Sequence, residues 1–326
     1  MKRRKFLKFG ILFFQSKLVF SQKSIPKIQY DTSTYYGVFF EPNKHNQLCF
    51  LYTNDVYHWN KSIYLTYQSN PLTGRDPSII YYKDKWLLAL TGSKEDKYDL
   101  SLFISSDLSN WKAYEIDLGG NESISSAKRL WDNASIPTKI IWAPEFVVDK
   151  HSDLYIVTAV QTGFDRTTNG KDKFFELYMS KCTISNGSYS FTKAKRVKVL
   201  DSNRKYGFYS RIDPFIIYDN DNNRYILAAK RENYGVIDFF VSSDLYGDYI
   251  YTGTLELHGI NKKMDIEGPS IIYNKNTKVW CIYFDSYYLN QGIMYVKTSN
   301  FTEFSQPLLV QQNTFSQLRH GTIRSR

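Results

Sequence analysis

The sequence predicts an all-β fold: a five-bladed β-propeller whose ring is closed by N-terminal strands together with a C-terminal strand. Three observations predict it. Tyr and Phe supply 27 and 22 of the 326 residues, and a chain rich in aromatic and β-branched residues suits the pleated, half-buried surface of a sheet. A strand, polar turn and second strand recur four times, as RDPSIIYYKDKWLLAL from Arg75, WAPEFVVDKHSDLYIVTA from Trp142, IDPFIIYDNDNNRYILAA from Ile212 and EGPSIIYNKNTKVWCIYF from Glu267. Part of a fifth unit, LCFLYTNDVYHW at 48–59, stands near the front of the chain, and RHGTI at 319–323 stands at its end.

Taken in chain order, the first segment is MKRRKFLKFGILFFQSKLVFSQ. Its basic start, short apolar stretch and small residue at Ser21 predict an export signal over residues 1–21, and Arg3 to Lys8 fit a twin-arginine pattern. The expected location is periplasmic or extracellular, with no membrane attachment after the signal is removed. No other segment approaches the ~20 apolar residues that span a bilayer. The formal charge of +10 owes six bases to this segment; without them 36 basic residues face 32 acidic ones. That near balance argues against a nucleic-acid partner. Cys49, Cys182 and Cys281 are too far apart, and too few, for a disulfide framework or a zinc site.

Residues 22–326 are expected to form a single propeller domain. The polar turns YYKDK, DKHSD, DNDNN and NKNTK supply hairpin residues. A third strand with its own turn follows at LFISSDLSNW (102–111), FFVSSDLYGDY (239–249) and MYVKTSNFTEF (294–304). The repeat prolines Pro77, Pro144, Pro214 and Pro269 recur every 55–70 residues, a period suited to a propeller blade. The fifth blade lacks an inner strand until RHGTI is paired with the N-terminal strands, which also removes exposed sheet edges. Asp55, Asp107 and Asp244 are expected to cap turns through backbone N–H groups, Trp59 and Trp111 to pack between blades, and His45, His58, His151 and His258 to lie on the surface or in turns.

Inner strands of a propeller begin around one funnel, so Asp76, Glu145, Asp213 and Glu267 are expected to converge there. Proline biases its predecessor toward extended backbone, which accounts for strand starts but not for the charge. Carboxylates crowded together repel, and a fold keeps them where a proton, cation or reaction uses them.

The ordered motifs RDPSI, WAPEF, IDPFI and EGPSI, with RHGT at the end, resemble glycoside hydrolase family 43, five-bladed propellers acting on arabinan, xylan and related glycosides. The resemblance implies a hydrolase of O-glycosyl bonds that inverts configuration, with Asp76 as general base, Glu267 as general acid and Asp213 as the carboxylate that tunes the acid and orients substrate. It implies that Trp142, Glu145, Arg75 and Arg211 bind carbohydrate substrate, and that His320 lies near a structural calcium ion at the propeller axis, with no organic cofactor. Two alternatives stay open: a retaining propeller hydrolase of the fructan and sucrose type, and a non-catalytic carbohydrate-binding propeller.

Overall fold

In the computed structural model the described residues are 33–42, 47–59, 61–66, 74–91, 100–115, 140–164, 172–185, 187–202, 207–258, 263–286, 292–310 and 318–326. The expected export segment lies outside them. Every regular element among them is a strand, and none of their segments forms a helix long and apolar enough to cross a membrane.

The first blade contains β1 (Tyr35–Phe40), β2 (Gln47–Thr53) and β3 (Lys61–Thr66). The second contains β4 (Arg75–Tyr82), β5 (Lys85–Thr91), β6 (Leu100–Ser105) and β7 (Lys112–Glu115). The third contains β8 (Ile141–Val148), β9 (Leu154–Phe164), β10 (Lys173–Ser185), β11 (Ser188–Phe191) and the short β12 (Lys195–Arg196). In the fourth, β14 (Arg211–Asp219), β15 (Arg224–Arg231), β16 (Val236–Ser242) and β17 (Asp248–Leu255) are followed at the outer edge by β13 (Lys198–Leu200), which pairs parallel to β17. A hairpin of β18 (Leu257–His258) and β19 (Lys263–Met264) leads to the fifth blade, β20 (Ile266–Asn274), β21 (Val279–Ser286), β22 (Ile293–Thr298) and β23 (Leu308–Leu309).

The last strand, β24 (Arg319–Ser325), is the inner strand of the first blade, in the order β24-β1-β2-β3. The first and last strands of the described residues therefore share a sheet, as RHGTI predicts. The pairing is close: a Cβ on Gly321 would lie 1.9 Å from the Val38 carbonyl oxygen, so only glycine fits beside the bulge at Phe39/Phe40.

Five apolar clusters fill the gaps between consecutive blades. Phe50 and Trp86 meet between the first and second, Ile80 and Phe146 between the second and third, and Phe175 and Ile216 between the third and fourth. Phe239 and Trp280 meet between the fourth and fifth, while Cys49 and Tyr283 close the circle between the fifth and first. Each fully buried large aliphatic or Phe side chain contributes roughly 1.5–3 kcal/mol, so the clusters hold neighbouring sheets face to face. Trp59 packs edge-on to Tyr283 at 6.2 Å and Trp111 joins the first-to-second-blade cluster, as the sequence predicts. The turn aspartates also act as expected: Asp55, Asp107 and Asp244 accept N–H bonds from Tyr57, Ser109 and Tyr246 at 2.9, 2.9 and 2.8 Å.

Candidate active site

The residue before each repeat proline is not extended. Asp76, Ala143, Asp213 and Gly268 have φ of 48°, 50°, 52° and 59°, all left-handed, and the register of each inner strand slips across that position. This corrects the expectation from proline stereochemistry. A bulge places two residues opposite one and turns the strand, and a left-handed non-glycine residue costs of order 1–3 kcal/mol that the surrounding sheet must offset. The bulge re-aims the side chain it carries, and in the second and fourth blades that side chain is an aspartate.

In the fifth blade the bulge carries Gly268, and the acid stands one residue earlier as Glu267. The glycine has a packing reason: a Cβ there would lie 2.7 Å from His320 Cδ2. The imidazole of β24 thus fills the space that a fifth-blade side chain would take. His320 Nδ1 lies 3.2 Å from Asp76 Oδ1 and 3.8 Å from Asp213 Oδ2, and the Gly268 N–H donates to Asp213 Oδ2 at 3.1 Å. Lys230 Nζ donates to Glu267 Oε2 at 2.8 Å and lies 3.4 Å from Glu232. Arg319 sits 3.8 Å from Glu267 Oε1, while its Nε donates to Asp285 Oδ2 at 2.5 Å. The same Asp285 oxygen accepts the His320 backbone N–H at 3.1 Å.

These contacts set the protonation pattern. Burial pushes Asp76 upward, but the charge and hydrogen bond of His320, with help from Thr91 and Arg75, leave it below the usual carboxylate range. Burial pushes Asp213 up to about 7, against His320 and with Glu267, so the site retains a proton near neutrality. Burial opposes charge on His320, yet Asp213 and Asp76 push it up to about 10. Burial also lifts Asp285, to about 6, against the pull of Arg319. One ionised carboxylate, one protonatable carboxyl and an imidazolium share a small volume, a combination suited to acid and base work.

Glu145 stands elsewhere. It follows its proline where Asp76 and Asp213 precede theirs, and it is buried among Thr322 and Arg324 of β24, both of which donate to it. Arg324 also donates to the Phe146 carbonyl. The pair ties the third-blade inner strand to the closing strand, and the hydrogen bonds and ion pair of Glu145 go to Thr322 and Arg324 rather than to Asp76, Asp213, Glu267 or His320. Arg211 is 2% exposed, with Nη2 2.5 Å from Asp201 and 2.7 Å from Asp238. Arg75 is exposed beside Asp76, and Trp142 is half-buried, stacked on Phe175 at 4.7 Å.

A calcium ion calls for about six to eight oxygens. Among the described residues no group of three or more His, Cys, Asp or Glu is arranged to hold a metal ion, and the carboxylates nearest His320 face the imidazole, an N–H and Lys230. These side chains do not by themselves make a calcium shell. Lys230, Arg319 and Asp285 were not singled out by sequence. A signal was present: Lys230 and Asp285 stand at the far end of each blade's second strand, opposite Ile212 and Glu267.

A family model described as a probable glycosyl hydrolase domain, related to family 43, matches residues 76–325. The chain belongs to this family 43-related group of glycosyl hydrolases. The model of the glycosyl hydrolase family 32 N-terminal domain also matches, over residues 14–131. No curated protein matches the chain. Among solved structures, this family 43-related chain is similar in fold to the GH43_1 enzyme from Xanthomonas citri complexed with xylotriose, at 11% identity and a TM-score of 0.53, covering 82% of this chain and 80% of that one. It is also similar to 1,3Gal43A, an exo-β-1,3-galactanase from Clostridium thermocellum, at 11% identity and a TM-score of 0.51. That match covers 73% of this chain and 49% of the galactanase, so the family 43-related chain spans about half the length of that relative.

Proposed function

We propose that the chain is an inverting glycoside hydrolase acting on arabinose- or xylose-containing polysaccharides or oligosaccharides, with Asp76 as general base, Glu267 as general acid and Asp213 as the carboxyl that orients substrate and tunes the acid. The observation that carries this reading is the gathering of carboxyl groups from three blades around His320 and its strand, with opposite displacements of Asp76 and Asp213 from ordinary carboxylate behaviour. An ionised Asp76 is suited to draw a proton from water. Glu267 is more open than Asp213, 19% against 6% of the side chain, which favours it as the group that reaches the leaving oxygen. Inversion needs room for water, with base and acid carboxyls about 6.5–9.5 Å apart.

The family 32 match over residues 14–131 favours a second reading, in which Asp76 is a nucleophile and configuration is retained. Proton NMR of the first sugar released from para-nitrophenyl arabinofuranosides, xylosides and galactosides separates the two. Inversion supports the first reading, and retention contradicts it. The basic N-terminal segment supports export with removal near Ser21; a secreted protein that begins at Met1 by mass spectrometry would contradict that.

A further inference from the structure

Trp142 and a cluster of Phe208, Tyr209 and Tyr234 lie on the third and fourth blades, linked through Phe175 and Ser210. Trp142 holds the same place relative to its proline that Glu267 holds in the fifth blade, and stacks on Phe175. The Phe175 N–H donates to Ser210 Oγ at 2.9 Å, and the neighbouring Tyr209 packs edge-on to Phe208 at 4.8 Å and to Tyr234 at 5.5 Å. Phe208 and Tyr234 are 36% and 40% exposed. Their anchor is buried. Arg231 lies 4.5 Å from the Tyr209 ring centroid and 5.4 Å from that of Tyr234, while its Nε and Nη2 donate to Asp238, which is 0% exposed, at 2.8 and 2.6 Å. The residue before it, Lys230, donates to Glu267 at 2.8 Å, so the end of β15 carries the anchor and also contacts the candidate acid.

Exposed aromatic surface continuous with a site marks a ligand groove, and a sugar ring offers apolar C–H faces to an aromatic plane. Beneath the outer rings, Arg211 and Arg231 are matched by Asp201 and Asp238, while at the inner end Lys173 Nζ lies 5.6 Å from the Trp142 ring centroid. We propose that Trp142, Tyr209, Phe208 and Tyr234 form a path that binds sugar units of the glycan chain leading away from the cleaved bond. This rests on the glycoside hydrolase reading and adds to it a preference for oligomeric substrate.

The test compares kcat/KM on xylotriose, arabinotriose and galactotriose with that on the corresponding para-nitrophenyl monosaccharide glycosides, for wild type, Phe208→Ala and Tyr234→Ala. Ile250→Ala, at an exposed position on the outer strand β17, is the control, and thermal melting confirms that each variant folds. The expected result is that the ratio of trisaccharide to aryl-glycoside kcat/KM falls at least about tenfold in Phe208→Ala and Tyr234→Ala, mainly through KM, and is unchanged in Ile250→Ala. An unchanged ratio in both aromatic variants of an active enzyme overturns the path alone. Wild-type protein inactive on every substrate overturns the hydrolase reading and the path with it.

Discussion

Replacing His320 with Gln removes the cation 3.2 Å from Asp76 and 3.8 Å from Asp213, and its effect on stability has a defined pH signature. The folded protein lifts the imidazole from 6.5 to about 10. Each pKa unit corresponds to ~1.4 kcal/mol, so the full shift sets an upper bound of about 5 kcal/mol. Because the proton is held more tightly in the folded state, this contribution is complete below pH 6.5 and is lost as pH rises through about 10. Asp213, lifted to about 7, loses its contribution in the same direction but at lower pH in wild type; without the imidazolium that opposes this lift, Asp213 in the variant moves further up and offsets part of the difference. Burial of Cys182 and Cys281 adds an alkaline loss of its own, which both proteins share and which cancels in their difference. The assay is urea unfolding of wild type and His320→Gln between about pH 8 and about pH 10. Wild type should lose up to roughly 2 kcal/mol more than the variant across that interval. Parallel losses in the two proteins would show that no imidazolium is held among these carboxylates.

Three further outcomes follow from the site. Glu267→Gln should lose roughly a thousandfold in kcat on a natural glycan, but far less on a dinitrophenyl glycoside whose leaving group scarcely needs a proton; equal losses on both would remove Glu267 from the acid role. Asp213→Asn should lower turnover more than Glu145→Gln, whereas Glu145→Gln should lower stability by about 1–3 kcal/mol by weakening the buried bonds to Thr322 and Arg324; steady-state kinetics and thermal melts of the two variants check the split. Gly268→Ala should lower both activity and stability, because its new methyl group meets the His320 ring while the backbone stays left-handed; a fully active variant would show that the imidazole is free to move aside.

Five blades were legible because the signals for a blade are local. Alternating apolar strands, Asp- and Asn-bearing turns and the recurring proline can each be read within ten or so residues, and RHGTI supplied the one strand that the front of the chain lacked. The gathering of Asp76, Asp213, Glu267 and His320 was legible to the extent that inner strands must start around one space. The misplacement of Glu145 came from treating a carboxylate near proline as one position. Asp76 and Asp213 precede the proline by one residue, Glu267 by two, and Glu145 follows it, and across a bulge those offsets face different neighbours. The left-handed backbone at the bulge was not legible, since a proline argues locally for extended geometry and only the sheet holds it otherwise. Lys230 and Asp285 were hidden by distance in sequence: they meet Glu267 and Arg319 through cross-strand and cross-blade pairing. Arg211, written beside the Ile-Asp-Pro motif, reads as a substrate group until Asp201 and Asp238 are seen to enclose it.

The central claim, that carboxyl groups gathered around His320 hydrolyse a glycosidic bond, is tested most directly by nitrophenol release from a panel of aryl arabinofuranosides, xylosides and galactosides by wild type and Asp76→Asn side by side. The account predicts hydrolysis of at least one of these by wild type and a loss of roughly a thousandfold in Asp76→Asn that an activated leaving group does not restore, because the base acts on water. Undiminished hydrolysis by Asp76→Asn, or a wild-type protein that binds glycans and cleaves none, would contradict it.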